Sequence, residues 1–293
     1  MLASLVSRET RARGRTLWTR MLAVLGILAS LAALAVLALT PLVVAPRALA
    51  ADATLTNDLR YEIGGHLKLR GGLSWPRRHS VYELLGLRPL VDGATELRIT
   101  QKLDWADRAA LEVHYEVLLS GGDTRHEQSE LARLAPALFA DWPAAGVNDR
   151  RRLLNLTGTV DKSEDARLTH RLDRLNLTLR PGPVTLCLGR QAVTWGHGLL
   201  FNPMDLANPF APTDVERDYK VGDDMLRLHA PLPDLPNLPN LGDVELLYVP
   251  HRGPETREVT WETSTLALKH SLPLPGVDLE LMAAHHYRDT VAG

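Results

Sequence analysis

The sequence has little cysteine, few aromatic residues and no excess of charge of one sign. Its 293 residues include one cysteine, Cys187, which excludes both an intramolecular disulfide framework and a cysteine-based structural zinc site. The formal net charge is −2, whereas a nucleic-acid binder needs a basic face that neutralises phosphates. With 45% hydrophobic and 23% charged residues, the chain is neither a disordered tail nor a polytopic helical membrane protein.

The first 50 residues differ in charge from the rest of the chain. They contain six arginines and one acid, and an uncharged, apolar run extends from Met21 to Pro46. A basic segment, an apolar run and a small-residue site at 48–50 are typical of a secretory signal peptide, here cleaved after Ala50. The run is also long enough to span a bilayer as a signal helix that is not cleaved, so a retained anchor is the alternative.

After Asp58 the sequence alternates apolar and polar residues with the period of a β-strand. The alternation is clearest over 59–70, 97–105 and 111–119, and the short link between the last two runs predicts a hairpin. Further strand candidates are 175–179, 184–192, 224–230, 243–249, 257–270 and 276–288. About nine strands are predicted, and only residues 127–140 have the spacing of a helix.

Two all-β architectures fit this pattern. In an antiparallel up-and-down transmembrane β-barrel the apolar face meets lipid and the charged face lines a wet lumen. In an exported periplasmic β-sandwich, which would bind a ligand or serve as a structural protein, the exposed face carries the same charges. The run 59–70 is as long as the roughly 9–11 residues of a spanning strand and has charges of both signs in mid-strand. Together with the export signal, this favours a barrel over 51–293, in the outer membrane of a Gram-negative bacterium.

Residues 189–224 are rich in Asn-Pro, Gly and Asp, which predicts a long loop. Long loops inside a compact protein are usually functional, and in a barrel such a loop folds inward and narrows the pore. We therefore expect an inward or plug-like loop at about 196–224. The constriction candidates are Trp195, Asp205, Asp214, Glu216, Arg217, Asp218, Lys220, Asp223 and Asp224.

Polar strand positions give the candidates for pore lining and selectivity. They are Arg60, Lys68, Arg70, Arg98, Lys102, Arg190 and Gln191. Rings of Arg or Lys favour anions, but acidic residues interrupt this series, so the charge selectivity cannot be predicted. For Arg190, contact with anionic solutes and a structural ion pair with a neighbouring strand are both open. The acidic loop residues have no EF-hand spacing and no G-x-S-x-G motif occurs, so neither a metal site nor a serine-hydrolase elbow is predicted.

Two stretches of this loop together resemble a known group of proteins. Gly189-Arg190-Gln191, with Trp195-Gly196 and the following Asn202-Pro203 to Asn208-Pro209-Phe210, is similar to bacterial outer-membrane porin-like β-barrels, including alginate-export-type barrels. The similarity covers roughly residues 166–230. It implies a passive or facilitated channel for a small polar or charged solute, with no cofactor and no enzymatic activity. Its expected partners are outer-membrane lipid and the barrel-assembly machinery. An outer-membrane hydrolase is an alternative supported only by scattered Ser, His and acidic residues.

The end of the chain departs from this group. Its barrels usually finish on a strand that ends in an aromatic residue, whereas this sequence ends at Gly293 shortly after an apparent strand. Bacterial single-chain barrels also have even strand numbers, and about nine is odd. We therefore expect the barrel to be incomplete at its C-terminus.

Overall fold

The computed structural model describes residues 51–56, 58–139, 148–196, 204–207, 219–236 and 240–293. All of them lie in one compact unit, Leu49–Gly293. The signal peptide predicted for 1–50 and four constriction candidates lie outside the described residues; these four are Asp214, Glu216, Arg217 and Asp218. Within the described ranges, no helix is both long enough and apolar enough to cross a membrane.

The described chain is mostly β-structure, and its twelve strands belong to one sheet. In chain order the strands are β1 Ala51–Thr56, β2 Leu59–Ser74, β3 Leu90–Trp105, β4 Ala109–Gly122, β5 Thr157–Lys162, β6 Ala166–Leu179, β7 Thr185–Gln191, β8 Asp223–Pro231, β9 Asp243–Val249, β10 Thr265–Leu274, β11 Val277–His286 and β12 Asp289–Ala292. The hairpin predicted for 97–105 and 111–119 is confirmed as β3 paired with β4.

The sheet is an up-and-down meander. Eleven strands follow one another across it in chain order, every neighbouring pair is antiparallel, and only β5 lies off this path, beside β6. Among the described strands, β1 and β12 each have a neighbour on one side only, so the sheet is open. The sequence predicted about nine strands because β1, β5 and β12 are short, with 6, 6 and 4 residues. Such short strands give little alternation to detect.

Connections differ in length at the two ends of the sheet. At the short-turn end, the hairpin links are 57–58, 106–108, 180–184, 232–242 and 275–276. At the opposite end, called the long-connection end, the links are 75–89, 123–156, 192–222 and 250–264. The tight β5–β6 turn at 163–165 and the tight β11–β12 turn at 287–288 also lie there. The long connections therefore gather at one end, as in barrels with short turns on one side and long loops on the other.

Two helices lie at the long-connection end. Helix α1, Asp123–Leu134, begins directly after β4, and the short helix α2, Pro136–Phe139, follows it. The sequence predicted one helix over 127–140; the break at Ala135 precedes Pro136, because the residue before proline is pushed out of the helical region. At the start of α1, Gly122 has φ +138°, and a Cβ there would lie 2.4 Å from the Val91 carbonyl oxygen, so this close strand-to-helix turn requires glycine.

One face of the sheet is apolar across nearly its whole width. A row that follows the register from β2 to β10 consists of Tyr61, Leu103, Leu111, Leu177, Leu188, Leu226, Tyr248 and Leu266. Much of this apolar face is exposed: Leu69 is 67% exposed and Leu268 is 47% exposed. Because all the described strands belong to one sheet, no second sheet of the described chain covers them.

The opposite face changes character from one side of the sheet to the other. From β2 to β8 it is polar, as in the row Arg60, Asp104, Ala110, Thr178, Cys187 and Arg227. From β9 to β11 the same row continues as Leu247, Ala267 and Ala284, all buried. This face, called the polar face, therefore contains the buried charges of β3, β4 and β6 together with the hydrophobic core.

Candidate functional site

A network of buried charges from β3, β4 and β6 lies at the centre of the polar face. Glu116 is fully buried and accepts hydrogen bonds from the guanidiniums of Arg98 and Arg171. Asp173 accepts from Arg98 Nη2 at 2.9 Å and from Arg174 Nη1 at 2.5 Å. Each carboxylate thus contacts two guanidiniums, which is how buried charges are tolerated. We call these five residues the central charge network.

A β-bulge brings Asp173 into this network. The adjacent β4 residues His114 and Tyr115 pair with Arg174 and Leu172, so Asp173 is the extra residue on β6. The bulge interrupts the alternation of side chains along β6. As a result, the neighbours Asp173 and Arg174 both reach the polar face, where an unbroken strand would send one of them to the apolar face.

His114 links the central charge network to Glu112. Arg98 Nη2 lies 2.8 Å from His114 Nδ1 and donates to it, because a guanidinium has donors only. The proton of the neutral ring is therefore on Nε2, which lies 2.9 Å from Glu112 Oε1 and donates to that oxygen. The other Glu112 oxygen accepts from Asn176 Nδ2 at 3.1 Å.

Part of the predicted loop lies against the polar face. We call residues 192–196, 204–207 and 219–222 the inner segment. Its first part packs Val193 and Trp195 into the hydrophobic core with Leu247 and Val249. Trp195 is 3% exposed, and its Nε1–H donates to Glu245 Oε1 at 2.5 Å. The constriction candidate Trp195 is thus fixed to β9.

The last part of the inner segment reaches the central charge network. Tyr219 donates its hydroxyl hydrogen to Glu96 Oε1 at 2.5 Å, and the Arg98 guanidinium carbon lies 3.6 Å from the centre of its ring. The Lys220 carbonyl accepts from Arg174 Nη2 at 2.7 Å. Burial raises the pKa of the Tyr219 phenol, and the nearby carboxylate of Glu116 acts in the same direction. The phenol therefore stays protonated and acts as a donor.

Two constriction candidates of the inner segment pair with each other. The ammonium of Lys220 contacts the carboxylate of Asp205, and it also donates to the Val193 carbonyl at 3.3 Å. Burial raises the pKa of Asp205, although the contact with Lys220 acts in the opposite direction. This pair joins the two parts of the inner segment, 204–207 and 219–222, to its first part at 192–196.

Arg190 is enclosed by ion pairs. Its side chain is 1% exposed; Nε lies 2.9 Å from Asp224 Oδ1 and Nη1 lies 3.0 Å from Asp149 Oδ1. The carbonyl of Leu154 accepts a further hydrogen bond from Nη2 at 2.8 Å. Of the two alternatives for Arg190, this geometry has the form of the structural ion pair, with the neighbouring strand β8 supplying Asp224.

The carboxylates around Arg190 belong to the long-connection end. Asp149 also receives Arg152 Nη1 at 2.9 Å and the Leu156 amide at 2.7 Å. Burial alone would raise the pKa of Asp149, but the hydrogen bond from Arg152 and the charge of Arg190 outweigh it, and the pKa is lowered. Asp223 Oδ2 accepts a hydrogen bond from His251 Nε2 at 2.8 Å. Both β8 constriction candidates, Asp223 and Asp224, are therefore held by neighbours.

The remaining pore-lining candidates on β2 and β3 lie on the polar face among acidic partners. Lys102 Nζ is 2.8 Å from Asp104, and Arg60 Nη2 is 2.9 Å from Glu62. Arg70 Nη2 is 3.2 Å from Glu96, which also stands opposite Lys68 in the register. The basic series is therefore interleaved with carboxylates.

A cavity of about 390 Å³ opens on the polar face between β4 and β8. Gln191 is the pore-lining candidate found there, and its Nε2 is bonded to the carbonyls of Cys187 at 3.2 Å and Met225 at 3.3 Å. Arg174 of the central charge network lines one side, and Arg227 of β8 lines another. Cys187 is buried in β7 at its wall.

Sequence reasoning missed the residues that organise this face. Asp173, Arg174, Arg227 and Glu245 were not among the site candidates, although each is a charge on a polar strand position. The sequence did contain a usable signal. Residues 170–174 have charged side chains at adjacent positions, which does not fit a regular strand with one polar and one apolar face. The contacts of Tyr219 and Glu245 join segments far apart in the chain, and local spacing carries no information about them.

No group of three or more His, Cys, Asp or Glu side chains in the described ranges is arranged to hold a metal ion. Chemically, the polar face offers fixed charges of both signs, hydrogen-bond donors and the cavity between β4 and β8. In comparisons with known proteins, the chain matches no family model, no curated protein and no solved structure.

Proposed function

We propose that this chain forms the wall of a porin-like outer-membrane β-barrel channel, through which a small polar or charged solute diffuses. The observation that carries the proposal is the inverted distribution of side chains. Leucines such as Leu67 and Leu69 are 57% and 67% exposed, whereas Arg98 and Glu116 are 5% and 0% exposed. A water-soluble sheet buries its apolar face, and a lipid-facing sheet exposes it.

The dimensions of the strands support this proposal. Strand β2 has 16 residues, so at about 3.3 Å per residue it is roughly 53 Å long. A tilt near 45° reduces its span to roughly 37 Å, between the ~30 Å hydrocarbon core and the ~40–45 Å full bilayer. Trp105 lies at one end of the β2–β3 pair and Trp75 follows the other end, and both are exposed. These are the positions of interfacial aromatic residues.

The two ends of the sheet suggest an orientation. Outer-membrane barrels have short turns on the periplasmic side and longer loops outside the cell. In this proposal the short-turn end faces the periplasm, and the long-connection end faces the exterior. The export signal predicted for 1–50 would bring the chain to the barrel-assembly machinery.

Transport in this proposal needs no conformational cycle or cofactor. The central charge network and the inner segment occupy part of the space on the polar face, so they narrow the path and set its width. Fixed charges and hydrogen-bonding groups replace part of the hydration shell of a passing solute, and selectivity follows from diameter and charge. The free edges at β1 and β12 must be paired in lipid, because each unsatisfied backbone group there costs several kcal/mol.

A matched pair of substitutions tests the orientation of the two faces. Leu67→Arg places a charge in the middle of the apolar face, and we expect it to lower the stability of the vesicle-inserted protein by about 2–4 kcal/mol. His66→Arg changes the adjacent residue on the polar face beside Glu96, and we expect a change below about 1 kcal/mol. The measurement is denaturant unfolding of protein folded into phospholipid vesicles, followed by tryptophan fluorescence.

Planar-bilayer recording of the same preparation tests the channel itself. We expect discrete, ohmic conductance steps from the vesicle-inserted wild-type chain. Two results would refute the proposal: equal costs for both substitutions, or a chain that stays in the aqueous phase as a folded monomer without detergent. The second result would favour the exported periplasmic β-sandwich.

A further inference from the structure

The cavity between β4 and β8 lies on the polar face, between the central charge network and the short-turn end. Its wall includes Glu112, Arg174, Asn176, Cys187, Gln191 and Arg227. Its volume of about 390 Å³ is within the range of small-molecule sites. The residues come from four neighbouring strands, so the site is built by the sheet itself rather than by one loop.

The acceptors of this cavity are largely engaged within the protein. Glu112 accepts from His114 through one oxygen and from Asn176 through the other, at 2.9 and 3.1 Å. The thiol of Cys187 lies 3.5 Å from Asn176 Oδ1, within reach to donate to it. Both oxygens of the carboxylate that a cationic solute would seek therefore already accept a hydrogen bond within the protein.

The hydrogen-bond donors of the cavity, in contrast, are not all engaged within the protein. Arg227 lines the cavity with a side chain that is 38% exposed, and it donates Nη2 to Glu245 Oε2 at 2.6 Å. A guanidinium has five N–H groups, so the exposed part of Arg227 has further donors for an oxygen acceptor from outside the chain. Arg174, on the opposite wall, adds a second positive charge to the same cavity.

We propose that this cavity is a binding site for a small solute that carries an oxyanion, namely a carboxylate or phosphate group. The oxyanion accepts from the exposed N–H groups of Arg227 and lies on the Arg227 side of the cavity, away from the carboxylate of Glu112. Guanidiniums are well suited to this task because their planar N–H groups match the geometry of such oxygens. The inference deepens the proposed function, on which it rests for its biological role, by naming the class of solute.

Isothermal titration calorimetry of the detergent-solubilised full chain tests the site. The probes are inorganic phosphate and succinate, with glycerol as a neutral control and ethylenediammonium as a cationic control. We expect binding of at least one oxyanion and of neither control. Binding of the cation alone, or of no probe at all, would overturn the proposal. Comparison of the affinities for phosphate and succinate shows whether the site prefers a phosphate or a carboxylate group.

Four variants locate the binding. Arg227→Lys keeps the charge beside Glu245 but lacks the planar set of guanidinium donors, and Arg227→Gln removes the charge. We expect each to weaken oxyanion binding about tenfold or more. Glu112→Gln removes the nearby negative charge and is expected to tighten it severalfold. Arg180→Gln is the matched control, because this arginine lies outside the cavity and its nearest acid, Asp104, is 3.9 Å away. Unchanged affinity in both Arg227 variants would refute the assignment.

Cys187, the only thiol of the chain, reports access to the same cavity. We expect a small anionic methanethiosulfonate to modify it, and a saturating oxyanion to slow that reaction at least fivefold. A thiol that reacts at the same rate with and without the oxyanion places the ligand elsewhere and overturns the proposal. Calorimetry and thiol modification need no membrane, so their outcome is independent of the conductance measurement. Conductance without oxyanion binding refutes the binding site but not the channel. Oxyanion binding without conductance refutes the channel but not the binding site.

Discussion

The central charge network gives the sharpest test of the polar face, through the substitution Glu116→Gln. Glu116 is fully buried and accepts from both Arg98 and Arg171. The neutral amide keeps the shape of the side chain, removes its charge and points an NH₂ group at one of two buried guanidiniums. Arg98 keeps Asp173 at 2.9 Å, whereas Arg171 keeps only a 3.6 Å contact with Asp173.

The size of the effect follows from these contacts. One of the two charge-assisted hydrogen bonds, of about 1.5–3 kcal/mol, is lost and the other keeps only a neutral acceptor. Breaking one partner out of a buried ion pair typically costs about 3–5 kcal/mol. We therefore expect Glu116→Gln to lower the free energy of unfolding by about 3–5 kcal/mol. The control is Glu62→Gln on the same face, where both partners are about half exposed and the cost is about 0–1 kcal/mol.

The assay is equilibrium unfolding in guanidinium chloride of the detergent-solubilised chain, followed by tryptophan fluorescence. A double-mutant cycle of Glu116→Leu and Arg171→Leu, each measured alone and together, completes the test. Because the paired replacement removes charge from both partners, we expect it to cost less than the sum of the two single changes. Equal, sub-kilocalorie effects for Glu116→Gln and Glu62→Gln would show that the network is solvated, and the reasoning would fail.

Two further outcomes concern the inner segment and the long-connection end. Trp195→Phe removes the N–H group that donates to Glu245 at 2.5 Å, while Arg227 remains a partner of Glu245. We expect the free energy of unfolding to fall by about 1–2 kcal/mol in the same assay. An unchanged free energy of unfolding would mean that the indole is not anchored. Asp149→Asn should cost about 1–3 kcal/mol at pH 7, because Arg190 and Arg152 lose a charged acceptor. The pKa of Asp149 is lowered in the folded state, so its contribution is present above the ordinary pKa near 3.9 and disappears as the pH falls through the folded-state value. The difference between wild type and Asp149→Asn should therefore shrink between pH 5 and pH 2, and a difference that grows in this range contradicts the assignment.

Alternation predicted the long strands well because it reports directly which side chains share a face. The candidate at 243–249 coincides with β9, and the hairpin of β3 and β4 has a short link, as expected. The method failed on β6, where the prediction began at Leu175 and the strand begins at Ala166. The bulge at Asp173 shifts the alternation by one residue, so the first half of the strand does not continue the pattern of the second.

The candidate site was harder to predict, because its contacts depend on the register and on distant segments. Alternation placed Arg98 and Lys102 on the polar face, but it could not show that Arg98 meets Glu116 and Asp173. Arg190 was located at a strand end, yet its partner Asp149 comes from a connection 41 residues away in the chain. Propensity and spacing are local quantities, and neither encodes such long-range pairing.

The order of strands along the meander fixes the direction of its two margins. Since eleven antiparallel strands lie between one free edge and the other, the first and the last, β1 and β12, point the same way. A seam that joined these two margins directly would be the sheet's one parallel contact, with slanted hydrogen bonds and slightly less stability per residue than its antiparallel neighbours. Such a seam would be the weakest strand pairing of the closed sheet. An odd number of further strands between β12 and β1 would instead make every pairing around the circumference antiparallel.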